Sequence, residues 1–167
     1  SPLEKSFAIQ LPYRLLDTAT GGFSAEMFIG GGGSCEVFKA VVFGIEVAVK
    51  ALTTTDGADK EQALEEKQFV NEMELLMDVF HPNICRLLGV SIDGPRRCLV
   101  LEICTGGSLY EVLKQDHEKL QNSPDVKLLT LGWQKRVQVV LAIVRALVHL
   151  HSLTPPMIHR DVKTQNV

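Results

Sequence analysis

Near residue 55 the spacing of apolar residues changes from strict alternation to the i, i+3, i+4 pattern of a helix, and any fold must accommodate both halves. Before that point, Met27 to Gly30, Glu36 to Val41 and Ile45 to Leu52 are short runs rich in Val, Ile and Phe. A glycine cluster and the Phe43-Gly44 pair separate them, which predicts an antiparallel meander. From Asp59 to Val79 the spacing predicts a helix, with Phe69, Glu72, Met73 and Leu76 on one stripe and Glu61, Glu65, Glu66 and Lys67 on a solvated face. Pro82 in His81-Pro82-Asn83 stops it, because proline lacks a donor and disfavours helical geometry in the residue before it.

Ile84 to Val90 and Cys98 to Ile103 flank the turn residues Asp93-Gly94-Pro95 and predict a further hairpin, giving a sheet of about five antiparallel strands. Ser108 is placed to cap a short helix through Lys114, and the polar stretch Gln115 to Lys127 reads as a loop. A long helix follows from about Trp133 to His151, apolar along Trp133, Val137, Val140, Val144 and Leu147 and broadened by Leu141, Ala146, Val148 and Leu150. The expected class is α+β: a sheet with one main helix, then a helical part.

Charge removes several classes of partner. The balance is 17 basic against 20 acidic residues, a net charge of −3 without any dense Lys/Arg run, so nucleic acid is not an expected partner. Cys35, Cys85, Cys98 and Cys104 form no C-x-x-C pair and lack histidines at metal-ligand spacing, which argues against a zinc site or a secreted disulfide framework and for a reducing cytosol. The longest apolar tract, Val137 to Leu150, is interrupted by Gln138, Arg145 and His149 and falls short of the roughly 20 residues of a membrane span.

Three clusters carry chemistry. Between two predicted strands lies Ile29-Gly30-Gly31-Gly32-Gly33-Ser34-Cys35-Glu36-Val37, where bare backbone N–H groups could approach phosphate oxygens. A flexible hairpin tip would look the same, and a dinucleotide fingerprint would have to open a helix, whereas here a strand follows. On the third strand, Val47-Ala48-Val49-Lys50, alternation puts Ala48 and Lys50 on one face: a small residue where a flat base fits and a cation where phosphates fit. Glu72 lies on the apolar stripe of the next helix, where an unpaired carboxylate is costly, so Lys50 is its natural partner. Glu74 sits off that stripe. The third cluster, His159-Arg160-Asp161-Val162-Lys163-Thr164-Gln165-Asn166, suits phosphoryl transfer: a carboxylate to accept a hydroxyl proton, a lysine to neutralise a phosphoryl group and an amide oxygen for a divalent ion.

Together these motifs resemble the eukaryotic protein kinases over residues 24 to 167, and within them the tyrosine-kinase-like group that includes receptor-like serine/threonine kinases. Ala19-Thr20, Gly22-Phe23-Ser24, Leu131-Gly132-Trp133 and Pro155-Pro156-Met157-Ile158 have the look of that group. The resemblance implies an N-lobe at 24–101, a hinge at 102–105 and the start of a C-lobe at 106–167, preceded by an extension at 1–23 in which Leu11, Tyr13 and Leu15 are placed to pack onto the lobe. It implies ATP and Mg²⁺ as cofactors. Gly30, Gly32, Ile29 and Val37 match the loop over the nucleotide, and Ala48 lies under the adenine. Lys50 matches the lysine of the α and β phosphates and Glu72 its ion-pair partner, Leu101 the gatekeeper, and Glu102 and Cys104 the hinge backbone. Asp161 resembles the catalytic base, Lys163 the phosphate-binding lysine and Asn166 a magnesium ligand.

Lysine two residues after Asp161 implies serine/threonine specificity, hence a protein substrate, and Arg160 implies an activation loop switched by phosphorylation. The implied location is cytoplasmic, either free or as the cytosolic part of a membrane receptor. Two departures stand out. Cys35 occupies the place of a third loop glycine and Ser34 that of an aromatic tip, and cysteine in a left-handed conformation would cost roughly 1–2 kcal/mol. The chain also stops at Val167, before the family's Asp-Phe-Gly segment, so it reads as part of a longer kinase and leaves a pseudokinase or decoy as the alternative. Nothing in the residues speaks to oligomeric state.

Overall fold

In the computed structural model, the structure describes residues 9–32, 35–52, 59–77, 79–122 and 130–167, with the side chains of 59–66 and 68 outside that description. Gly33, Ser34, the expected loop residues 123–127 and the charged face at Glu61, Glu65 and Glu66 therefore fall outside it. The chain divides into two compact units, one comprising residues 1–80 and 85–103, the other 81–84 and 104–167.

The first unit is a six-stranded sheet. Its elements are β1 (Ile9–Gln10), α1 (Tyr13–Ala19), β2 (Phe28–Gly32), β3 (Cys35–Val42), β4 (Ile45–Leu52), α2 (Asp59–Met77), β5 (Leu87–Ser91) and β6 (Cys98–Glu102). The strand order is β1-β5-β6-β4-β3-β2. Five strands pair antiparallel, but β1 adds a sixth, parallel to β5, so the expectation of a purely antiparallel five-stranded sheet is corrected. Two residues are too few for alternation to be read, and the pairing is completed by Leu11 N–H donating to Val90 O at 2.8 Å.

Alternation along β4 sorts its side chains onto two covered faces. Val47, Val49 and Ala51 join Phe38, Ala40, Val42, Cys98 and Val100 in a core closed by Leu11 and Leu16 from the N-terminal segment. Leu52 joins Leu87, Val90 and Leu99 against Phe69 and Met73 of α2. The central strands are thus sandwiched between α1 on one face and α2 on the other, which is why Val49, Ala51, Cys98 and Leu99 are fully buried. Burial pushes the Cys98 thiol up to about 12.

The N-terminal segment is fastened as well as packed. Asp93 Oδ1, in the turn before β6, accepts from Tyr13 N–H at 2.9 Å and from Ser91 Oγ at 3.0 Å. At its other end α1 is closed by buried Thr20, whose hydroxyl donates to Leu16 O and accepts from Phe23 N–H.

The second unit contains α3 (Leu109–Asn122), α4 (Trp133–Ser152) and a 3₁₀ turn (Thr164–Asn166). Ser108 caps α3 as expected, in a reciprocal box: Glu111 N–H donates to Ser108 Oγ and Ser108 N–H to Glu111 Oε2. The helix does not stop at Lys114, however, and the expected loop over Gln115–Asn122 is helical. Its polarity hides one buried residue, Asp116, which accepts from the backbone N–H of Thr130 (2.7 Å) and Leu131 (3.0 Å) and ties α3 to the start of α4. On α4, Ala146 and Leu150 are buried, whereas Trp133, Val137, Val140, Leu141, Val144 and Val148 are exposed.

Candidate functional site

In the first unit, strand β4 presents Lys50 toward α2, and both oxygens of Glu72 lie 2.8 Å from its Nζ. The helix stripe delivers Glu72 because Phe69 and Met73, three before and one after, are buried against the sheet. The pair is partly exposed, so it is worth little as a stabiliser; its consequence is that the ammonium is fixed in place. Register puts Val37 opposite Lys50 and Leu101 opposite Ala48. Alternation therefore brings Val37, Ala48, Lys50 and Leu101 to the face that carries α2, while Ile29 on β2 is exposed.

Gly30, Gly31 and Gly32 form the end of β2, which pairs antiparallel with β3. Among the described glycines of the run, Gly31 is the one that must lack a side chain, since a Cβ there would stand 2.8 Å from Cys35 O. Beside Gly30 and Gly32 a Cβ would meet nothing within 4 Å, so their backbone is open to an approaching group. Cys35 is an ordinary strand residue paired with Leu52, and the backbone strain considered for it does not arise. At Glu102 the N–H is spent on Arg86 O (2.9 Å), leaving the carbonyl, which accepts from Cys85 Sγ, as its only backbone group for a ligand. Cys104, exposed, belongs to the second unit.

In the second unit the His159–Asn166 loop turns sharply at Arg160 (φ 64°), where Asp161 N–H donates back to His159 O at 2.9 Å. The Asp161 carboxylate meets Lys163 Nζ at 2.7 Å and Asn166 Nδ2 at 3.0 Å. The hydrogen bond from Lys163, then that from Asn166, hold Asp161 below the ordinary carboxylate value of 3.8, so it is an acceptor at neutral pH. Asn166 Nδ2 also donates to Asp161 O at 2.9 Å, which leaves the amide oxygen of Asn166 for a cation. Leu109 N–H donates to Val167 O at 2.7 Å and docks the loop on α3. Among the described residues no cluster of three or more His, Cys, Asp or Glu could hold a metal unaided. A divalent ion here would need oxygens from its ligand as well.

Sequence reasoning passed over Arg96. Its guanidinium donates to Glu36 Oε2 (2.5 Å) beside the glycine run and to Leu52 O (2.9 Å) at the end of β4. It belongs to no motif and to no apolar period, and its partners are distant in sequence.

The sequence model of the protein kinase domain family matches residues 23–167. A serine/threonine-protein kinase-like protein of Arabidopsis thaliana is 36% identical over 156 residues, 93% of this chain and 40% of the relative. A receptor-like serine/threonine-protein kinase of the same plant is 35% identical over 154 residues, 91% of this chain and 18% of that protein. The solved structure of an apo pseudokinase superposes with a TM-score of 0.75 at 27% identity, over 96% of this chain and 54% of that one. The chain thus spans well under half the length of these curated relatives.

Proposed function

The chain belongs to the protein kinase domain family, and from that premise we propose that it is the nucleotide-binding and catalytic-loop portion of an ATP- and Mg²⁺-dependent protein serine/threonine kinase. The observation that carries the reading is the Lys50–Glu72 pair, with both carboxylate oxygens 2.8 Å from the ammonium. A lysine held this way is available to two phosphates at once without being free to wander.

The other roles follow the chemistry of each side chain. Ile29, Val37, Ala48 and Leu101 of the first unit face the adenine, with the Glu102 carbonyl as its polar contact there; the Cys104 backbone takes the hinge role that the family likeness gives it. Gly30 and Gly32 let the backbone approach the phosphates. Asp161, ionised and aimed by Lys163 and Asn166, accepts the proton of a serine or threonine hydroxyl. Lys163 steadies the transferring group. The Asn166 amide oxygen fits a magnesium ion, which when bound neutralises charge on the phosphate oxygens.

The test is Mg²⁺-dependent binding of a fluorescent ATP analogue by the chain, and phosphate transfer to a Ser/Thr peptide by a longer protein containing it. Lys50→Met should abolish turnover; Asp161→Asn should leave nucleotide affinity nearly unchanged while reducing kcat by roughly 10²–10⁴-fold. Wild-type turnover by Asp161→Asn would remove the base assignment. The likeness to an apo pseudokinase favours a second reading, a partner-binding module without chemistry. Nucleotide binding without transfer in the longer protein would select it. The receptor-like relative favours a cytosolic site of action; among the described residues no helix is long and apolar enough to cross a membrane.

A further inference from the structure

Arg96 sits at the junction of three parts of the first unit. Its Nη2 bonds Glu36 Oε2 at 2.5 Å and its Nε bonds Leu52 O at 2.9 Å. Because Glu36 pairs with Ala51 and Cys35 with Leu52, one guanidinium grips the β3–β4 ladder from both strands where it reaches the glycine-rich hairpin. Lys50 lies two residues from Leu52 on the same strand.

The third part is the N-terminal segment. The Arg96 guanidinium lies 4.9 Å from the Phe23 ring centroid and 5.8 Å from that of Phe38. Phe23 stacks on Tyr13 at 5.7 Å and meets Phe38 edge-on at 5.3 Å; Phe38 in turn meets Phe28 of β2 at 5.8 Å. The turn that bears Arg96 is itself held to Tyr13, through Asp93 and through Gly94, where a Cβ would collide with the tyrosine ring. A continuous stack therefore runs from residues 13–23 through Arg96 to both strands of the hairpin. Most of that segment precedes residue 23, where the match to the family begins.

We infer that Arg96 is a positioning residue for the β2–β3 hairpin, and that the N-terminal segment sets, through Tyr13, Phe23 and Arg96, how firmly that hairpin is held against the strand carrying Lys50. The consequence for nucleotide affinity rests on the proposed kinase function; the coupling itself does not. Anything that lifts the segment from the sheet would then loosen the hairpin without touching a phosphate-binding group.

Amide hydrogen exchange separates the two. Arg96→Met should speed exchange at residues 28–32 and 35–38 by about tenfold while leaving β5, β6 and α4 near wild-type rates. Arg96→Lys, which keeps the charge but not the fork or the flat stacking face, should restore part of the protection. Phe23→Leu leaves every Arg96 hydrogen bond in place and should loosen the same residues, with little added effect in combination with Arg96→Met, since both act through one stack. It also keeps the test open should Arg96→Met not fold. Unchanged exchange over 28–38 in both variants, or acceleration spread equally over β5 and β6, would overturn the assignment. In Mg²⁺, affinity for the ATP analogue should fall about tenfold in Arg96→Met; unaltered affinity beside a loosened hairpin would refute the nucleotide consequence. A wild-type chain that binds no ATP analogue yet shows the exchange pattern would refute the kinase reading and support the coupling.

Discussion

Leu16 shows what a single side chain decides in this protein. It is fully buried in the core beneath β3, β4 and β6, whereas its neighbour Leu15, the residue the sequence pointed to, is only partly buried against that core. Leu16→Ala should destabilise the first unit by about 3 kcal/mol, a fall of roughly 10 °C in thermal midpoint measured by circular dichroism. The Lys50–Glu72 contact, by contrast, could be read directly: strand alternation fixed the lysine's face, helical spacing put the glutamate on the apolar stripe, and a carboxylate there needs a cation. Arg96 offered no such handle, because its partners lie 44 and 60 residues away and one of them is a backbone carbonyl.

Among the elements, α3 is where pattern and structure part. Its second half is polar, and only one residue in it, Asp116, is buried; a lone buried carboxylate leaves no periodic trace. Burial works to raise the Asp116 pKa, but the N–H groups of Leu131 and Thr130, with Lys119 nearby, outweigh it and hold the group below 3.8. The sign follows: a depressed carboxylate contributes fully at neutral pH, and its contribution is lost as pH falls through its folded value. Asp116→Ala, which leaves two backbone donors unmet, should cost about 2 kcal/mol at neutral pH. In thermal melts taken against pH, the gap between wild type and variant should narrow below about pH 4. A gap independent of pH would mean that packing, not charge, explains the loss. Elements long enough to display an apolar period, such as β4 and α4, were legible with little error; β1 was not, since two residues cannot display a period.

At the scale of the whole molecule, the sheet is covered on both faces, and that changes what counts as the domain. The kinase resemblance starts near residue 24, so residues 1–23 read as an extension, yet Leu11 and Leu16 close one of the two cores. Deleting residues 1–23 should cost roughly 3–6 kcal/mol from those two leucines alone, and the truncated protein should be far less soluble than the parent when both are expressed side by side. A shortened chain of parental stability would show that the segment is dispensable. The general α+β class, the kinase likeness and the packing of Leu11, Tyr13 and Leu15 onto the lobe were available from motifs and spacing, whereas α1 itself was not, because a helix of 7 residues leaves too short a pattern to reveal its apolar side.

The same double cover has a practical corollary at Cys98. Its sulfur lies at the centre of the sheet with a thiol that stays protonated at any ordinary pH, while Cys85 and Cys104 face solvent. Alkylating reagents such as maleimides should consume the outer sulfurs within minutes and reach the innermost one only when the strands separate, so its labelling rate is a stopwatch for unfolding that needs no added chromophore.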